Sequence, residues 1–252
     1  MPRASRASRS RSPAARPAAV PDLQRRGVML LPFLLLVLLY LLTFQPLSGR
    51  PQPNLLTAIA KATPILYLST YVGLTPNFQD NSLALGARVG FVLSSLGDMC
   101  LVWFHALFLP GVLFFSLAQM GYIFGLRSWI HRGHYPTGAY LSETVTVGAL
   151  SYLFVFTSVE SWVMAVFLLG YIVLLFYMAY LCLQRHLVEN NLGSLCGLVG
   201  GVSFLVSDLL IAITKWRLSL PLSELLIMVT YYLAQGGIAA GAVYSTRVKR
   251  RE

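Results

Sequence analysis

Residues 83–104, LALGARVGFVLSSLGDMCLVWF, form a long apolar stretch with one carboxylate, Asp98, near its end. As a helix this stretch would be about 33 Å long, enough to cross the hydrocarbon core of a bilayer. A charged side chain inside a membrane span costs about 2.5–3.5 kcal/mol on insertion scales, so it needs a partner or a function. The stretch therefore predicts a membrane-spanning helix whose aspartate is either paired or functional.

The composition of the whole chain is that of a membrane protein. Of its 252 residues, 56% are hydrophobic and only 11% are charged, and the mean hydropathy is +0.68. Soluble domains are about 25% charged, so this chain has too few polar residues to cover a soluble globule. We predict an all-α fold, a polytopic transmembrane helix bundle of about eight spans.

Eight candidate spans have the length of roughly 20 residues that an ~30 Å hydrocarbon core requires. They cover residues 28–47, 54–74, 83–104, 106–126, 138–157, 161–183, 194–214 and 222–245. The third and fourth spans are separated only around His105, and LFLPG at 107–111 marks that turn. The predicted transmembrane domain at 28–245 thus lies between a basic, disordered cytosolic tail at 1–27 and a basic cytosolic tail at 246–252.

The basic residues predict the orientation of the bundle. With a cytosolic N-terminus, 14 of the 19 Lys and Arg residues lie on the cytosolic side and three lie opposite, namely Arg50, Lys215 and Arg217. The positive-inside rule then places both termini in the cytosol. Because the net charge of +10 is concentrated beside the spans, as topology determinants are, we predict no nucleic-acid partner.

A second apolar stretch repeats the pattern of the first. GFVLSSLGDMCLVW at 90–103 and GGVSFLVSDLLIAI at 200–213 each have a glycine eight residues before an aspartate, and the second aspartate is Asp208. The following spans carry LAQMG, with Gln119, and LAQGG, with Gln235. An offset of four spans preserves orientation, so a parallel 4+4 repeat is one interpretation, and chance similarity between apolar segments is the other.

Three charged residues inside the spans lie at one predicted depth. Lys61 comes seven residues after the start of its span, and Asp98 and Asp208 each come about six residues before the end of theirs, counted from the same side of the membrane. This agreement predicts a shared polar pocket. The other candidate pocket residues are Ser94, Gln119, Ser207, Tyr231, Tyr232 and Gln235.

Two carboxyl groups in one apolar pocket favour different protonation states. Their mutual repulsion keeps one protonated while the other stays ionised, which provides an acid beside a base. The structural alternative is an ion pair between Lys61 and one aspartate, which leaves the second aspartate unexplained. The residues alone leave three interpretations open: an enzyme, a proton-coupled transporter and a structural pairing.

Four segments together resemble the YhhN-like membrane proteins, the lysoplasmalogenase family. They are KATPILYL at 61–68, GFVLSSLGDMCLVW at 90–103, GVSFLVSDLLIAITKW at 201–216 and LIMVTYYLAQ at 226–235. The resemblance implies a polytopic helical fold and hydrolysis of the vinyl ether bond of lysoplasmalogens to a fatty aldehyde and a glycerophospho-base. It also implies an endoplasmic reticulum location, and it gives Asp98, Asp208 and Lys61 the positions of the family's intramembrane aspartates and lysine.

One position departs from the family pattern, since Gln119 stands where the family usually has a histidine, and a glutamine cannot titrate. We predict that Asp98 and Asp208 are the catalytic acid and base, in an order the sequence leaves open, with no metal or cofactor and with a lysoplasmalogen as substrate. The alternatives are a proton-coupled transporter of lipids or small amines and a non-catalytic membrane scaffold. The sequence leaves the head-group preference and the oligomeric state open.

Overall fold

The protein is an all-helical bundle in a computed structural model that describes residues 27–46, 49–75, 78, 81–130, 138–159 and 161–244. These ranges contain eight helices and no strand, which confirms the predicted fold class. The helices are α1 (Leu31–Thr43), α2 (Leu55–Gly73), α3 (Ser82–Val102), α4 (Phe104–Ile130), α5 (Gly138–Phe156), α6 (Trp162–Glu189), α7 (Leu192–Trp216) and α8 (Ser223–Val243). Residues 1–26 and 245–252, which contain nearly all of the two predicted tails, lie outside the described residues.

Six of these helices, α2, α3, α4, α6, α7 and α8, are long and apolar enough to cross a membrane. The helix in the first predicted span, 28–47, is shorter than predicted, because α1 has only 13 residues. At 1.5 Å per residue it is about 20 Å long, shorter than a hydrocarbon core of about 30 Å. Pro46 explains its end, since a proline disfavours helical geometry at the residue before it.

The turn between α3 and α4 lies earlier than LFLPG. Trp103 leaves helical geometry with φ −91° and ψ 55°, and α4 begins at the next residue. Pro110 lies inside α4, and the helix kinks at Leu107, where φ is −116° and ψ is 21°. A proline ring clashes with the carbonyl four residues before it, which accounts for a kink at this position. The break between the two helices thus lies at Trp103, two residues before His105, and LFLPG marks a bend within α4.

Side-chain caps fix the start of several helices. Asn54 accepts a hydrogen bond from Thr57 N at 2.8 Å at the start of α2, and Asn81 caps α3 through Ala84 N at 3.3 Å. Asn191 and Ser194 bond reciprocally in a capping box at the start of α7. Such caps satisfy amide groups that have no partner within the helix. They hold α2, α3 and α7, the helices that carry Lys61, Asp98 and Asp208, in register at their first turns.

Glycines allow the helices to approach closely in two hairpins, α3–α4 and α7–α8. A Cβ atom on Gly200 of α7 would lie 2.7 Å from the backbone nitrogen of Ile238 of α8, which is a clash. In α3, a Cβ atom on Gly86 would clash with the backbone of Gly121 and Gly125 in α4. Small residues commonly mediate such packing in membranes. Glycine packing occurs in many membrane helix pairs, so its presence in both hairpins does not test the 4+4 repeat, which stays a prediction.

Candidate active site within the membrane

A largely apolar cavity of about 290 Å³ lies inside the bundle, and both intramembrane aspartates line it. Helices α2 to α8 all contribute side chains to its wall. Asp98 reaches the cavity from α3, Asp208 from α7 and Lys61 from α2. The structure thus brings together the three charged residues that the sequence placed at one depth.

Asp98 is held by two partners. Its Oδ2 atom accepts a hydrogen bond of 2.6 Å from the Tyr231 hydroxyl, and its Oδ1 atom lies 3.6 Å from Lys61 Nζ. The aspartate is 1% exposed and the lysine 8% exposed. A buried carboxylate needs a charge partner and hydrogen bonds to offset the loss of water, and Asp98 has both.

Asp208 has different surroundings. The Tyr171 hydroxyl of α6 donates a hydrogen bond to its Oδ2 atom. In the described part of the chain, no Lys, Arg or His forms an ion pair with Asp208. The two carboxyl groups therefore face one cavity in unequal environments, and only Asp98 has a cation beside it.

Sequence reasoning missed Tyr171. Its helix is an apolar span in which this tyrosine lies nine residues after the start, away from the membrane interface. Interfacial tyrosines are common, whereas a tyrosine at that depth needs a hydrogen-bond partner. The sequence places Tyr171 at a depth close to that of Asp208, and this depth could have identified it as a residue of the site.

Two of the predicted pocket residues join helices around the cavity. The Tyr232 hydroxyl donates a hydrogen bond of 3.0 Å to the Lys61 carbonyl, which ties α8 to α2. Ser207 lines the cavity, and its hydroxyl donates a hydrogen bond of 3.1 Å to the Ile227 carbonyl, which ties α7 to α8. These bonds position the lysine and the neighbour of Asp208.

Ser94 and Gln235 belong to a separate buried network that does not line the cavity. The Tyr122 hydroxyl donates a hydrogen bond of 2.8 Å to Gln235 Oε1 and lies 3.2 Å from Ser94 Oγ. This network links α3, α4 and α8 through side chains that are almost completely buried. Both predicted pocket residues, Ser94 and Gln235, therefore contact Tyr122 on α4 instead of lining the cavity.

Gln119 is also fully buried and does not line the cavity. Neither polar atom of its amide group has a hydrogen-bond partner among the described residues.

The cavity is open toward the outer surface of the bundle. Three residues of α7 that line it, Val202, Val206 and Leu209, are also 47%, 42% and 40% exposed. An exposed apolar surface on a membrane helix faces lipid. The wall of the cavity beside Asp208, which is itself partly exposed, therefore reaches the lipid-facing surface of the bundle.

These features define a polytopic helical membrane protein whose lipid-accessible cavity contains two carboxyl groups. The YhhN family matches residues 56–242, which include every residue of the cavity wall. The chain belongs to the YhhN family, and the resemblance stated from the sequence is confirmed.

Relatives in this family carry an enzyme name. The chain is 32% identical over 231 residues to "Lysoplasmalogenase TMEM86A" of Bos taurus, covering 87% of this chain and 90% of the relative. It is 33% identical over 210 residues to "Lysoplasmalogenase TMEM86B" of Mus musculus, covering 82% of each chain. Human "Lysoplasmalogenase TMEM86A" is 29% identical over 229 residues. No solved structure matches the chain.

Proposed function

We propose that this protein is a lysoplasmalogenase, a membrane hydrolase that cleaves the vinyl ether bond of lysoplasmalogens to a fatty aldehyde and a glycerophospho-base. The observation that carries the proposal is the presence of two carboxyl groups in one apolar cavity that is open to the bilayer. Relatives of about 30% identity that match over most of their length and carry this name support it.

The cavity suits a lipid with a single chain. A volume of about 290 Å³ is at the lower end of the 300–1,000 Å³ or so that is usual for ligand pockets. It holds the vinyl ether and the first carbons of a tail, while the remaining carbons extend past Val206 into the bilayer. The apolar wall favours hydrocarbon, and the carboxyl groups are the polar groups that orient the reacting bond.

The surroundings of the two carboxyl groups support different roles for them. An isolated carboxylate in an apolar cavity is costly, so Asp208, which has no ion-pair partner among the described residues, carries the proton. Asp98 stays ionised because Lys61 Nζ and the Tyr231 hydroxyl stabilise its charge. Asp208 is thus the general acid, and Asp98 the stabilising carboxylate and general base.

The reaction follows from these two states. Asp208 gives its proton to the vinyl β-carbon, which leaves an oxocarbenium ion whose positive charge Asp98 stabilises. Asp98 then takes a proton from a water molecule as its oxygen adds to the α-carbon, giving a hemiacetal.

Collapse of the hemiacetal restores both carboxyl groups. Asp98 donates its new proton to the glycerol oxygen, and Asp208 accepts the hemiacetal hydroxyl proton as the aldehyde forms. One water molecule is consumed, the aldehyde and the alcohol leave, and the enzyme returns to its starting state. Glycosidases also place two carboxyl groups around a related oxocarbenium-like cation, although their acid protonates the leaving oxygen instead of a carbon.

We also place the protein in the endoplasmic reticulum membrane with both termini in the cytosol. The excess of Lys and Arg on one side of the spans supports the orientation. The family resemblance supports the organelle. Fluorescence microscopy with tags on either terminus, after selective permeabilisation of the plasma membrane, tests both statements.

The deciding experiment gives purified protein in detergent a 1-alkenyl lysophospholipid and measures free aldehyde. A 1-alkyl lysophospholipid of the same chain length is the matched control, because it lacks the double bond that accepts the proton. We expect aldehyde from the alkenyl lipid alone. Absence of aldehyde, together with lipid uptake into proteoliposomes, would instead support the transporter.

A further inference from the structure

Two cations share one aromatic ring at the end of the bundle where α3 turns into α4. The guanidinium carbon of Arg50 lies 3.2 Å from the centre of the Phe104 ring, and Lys215 Nζ lies 4.4 Å from the same point. The two charges are therefore at most about 8 Å apart, no more than one Debye length at physiological ionic strength. The loop before α2 and the last turn of α7 bring them together.

This cation pair is only partly neutralised. Arg50 Nε lies 2.7 Å from Glu224 Oε1, whereas no described Asp or Glu forms an ion pair with Lys215. Like charges close together repel each other, so the arrangement carries a net positive charge that an anion would stabilise. Both side chains are only partly buried, so a ligand can reach them.

The cation pair adjoins the cavity that contains the aspartates. A small cavity of about 30 Å³ is lined by Arg50, Phe104 and Glu224, and it shares Lys61 and Ile211 with the wall of the larger one. Lys215 lines neither cavity, but its Nζ atom lies 4.4 Å from the ring centre of Phe108, a residue of the wall of the larger cavity. The two cations therefore adjoin the larger cavity, Arg50 through the small cavity and Lys215 through Phe108.

We propose that Arg50 and Lys215 bind the phosphate of the lysolipid head group. The inference rests on the proposed function and specifies how its substrate is held. Lysine and arginine are the usual partners of phosphate, the first as a point charge and the second as a planar fork.

The spacing along α7 fits this assignment. Lys215 follows Asp208 by seven residues on α7, about 10 Å along the helix axis. In an extended lysoplasmalogen, seven bonds of about 1.2 Å each along the chain put the phosphorus about 8 Å from the vinyl β-carbon. A phosphate at the cation pair thus places the reacting carbon beside Asp208. The substrate then comes from the leaflet on the side of Arg50 and Lys215.

The test measures binding rather than turnover, so that it can fail independently of the proposed hydrolysis. The probe is a 1-alkyl lysophosphocholine, which has the phosphate and no cleavable bond, and the comparison ligand is the 1-alkyl glycerol without phosphate. The variants are Arg50→Gln and Lys215→Gln. Arg217→Gln is the matched control, because Arg217 lies at the same end of the bundle but donates a hydrogen bond of 2.6 Å to the Phe154 carbonyl of α5 instead of lying over Phe104.

We expect each variant to raise the Kd of the lysophosphocholine by about tenfold, the size of one partly exposed charge-assisted hydrogen bond. The Kd of the alkyl glycerol should be the same in both variants as in wild type, which also shows that the variants are folded. Arg217→Gln should bind the lysophosphocholine with the wild-type Kd. Equal Kd values for the lysophosphocholine in wild type and both variants would overturn the assignment. So would displacement of the lipid by inorganic phosphate alone at the same concentration, since the site would then bind free phosphate.

Discussion

Lys61 Nζ lies 3.6 Å from Asp98 Oδ1, and this ion pair joins α2 to α3 beside an apolar cavity. The distance exceeds the 2.7–2.9 Å or so of a direct charge-assisted hydrogen bond, so the two groups attract without a tight bond. Both side chains are buried, and neither charge has bulk water to replace its partner. The stability of the bundle and the charge on Asp98 therefore depend on the same contact.

Replacing Lys61 alone should destabilise the protein. In Lys61→Met the Asp98 charge loses its cation, and breaking a buried pair in this way costs about 3–5 kcal/mol. The double variant Lys61→Met/Asp98→Asn removes both charges. It should recover most of the stability that Lys61→Met loses, but it should not recover aldehyde release. Unfolding of the three proteins in detergent, followed by circular dichroism, measures the effect. A Lys61→Met protein as stable as wild type would show that the pair contributes nothing.

Asp208→Asn should abolish most aldehyde release. The amide oxygen can still accept the Tyr171 hydrogen bond, but the side chain has no acidic proton, and general acids contribute about 10²–10⁴-fold to rates. Asp98→Asn should lose a similar factor because it removes the base. Aldehyde is measured by coupling it to an aldehyde dehydrogenase.

Glu143→Gln is the matched control for the aspartate variants, since Glu143 is exposed on α5 and does not line the cavity. It should keep wild-type activity. Full activity in either aspartate variant would contradict the paired-carboxyl mechanism.

The sequence predicts the depth of polar groups in a membrane protein better than their direction. Lys61 and Asp98 meet because counting residues from the end of a span gives a depth directly. Ser94 lies one helical turn from Asp98 yet points toward Tyr122 rather than into the cavity. The rotation of a helix about its axis depends on its neighbours, and a span that is apolar on all sides does not encode it.

The same reason explains why Tyr171 was missed. Its helix presents apolar side chains both to lipid and to the bundle, so no amphipathic pattern shows which face carries the site. Pro46, by contrast, gave a local signal that α1 ends early, and that signal outweighs the apolar composition of 28–47.

Tyr171→Phe should lower aldehyde release by up to about tenfold, since the hydroxyl that orients Asp208 is lost and a hydrogen bond to a neutral group contributes about 0.5–1.5 kcal/mol. The protein should remain folded, because the ring that fills the space is unchanged. Tyr177→Phe on the same helix is the matched control and should be neutral, as Tyr177 does not line the cavity. Equal activities of the two variants would show that the Tyr171 hydroxyl does not contribute to the reaction.

Gly200→Ala should separate α7 from α8. The added methyl would lie 2.7 Å from Ile238 N, and relieving such a clash costs about 1–3 kcal/mol. Gly170→Ala in α6 is the matched control, because nothing lies within 4 Å of the position its methyl would take. The midpoints of thermal unfolding in detergent should fall for the first variant alone. Similar midpoints for both would mean that the α7–α8 contact adjusts without cost.

Val206→Trp should obstruct the opening through which the lipid reaches the carboxyl groups. Val206 both lines the cavity and is 42% exposed on the outer surface, so a large ring there occupies the path of the tail. We expect the KM for the alkenyl lysolipid to rise by about tenfold, or about 1.4 kcal/mol of binding, with kcat little changed. Val199→Trp places the same ring two turns away on the same helix, where the side chain is 43% exposed and does not line the cavity. If the two tryptophan variants have the same KM, the lipid reaches Asp208 by a path that avoids this face of α7.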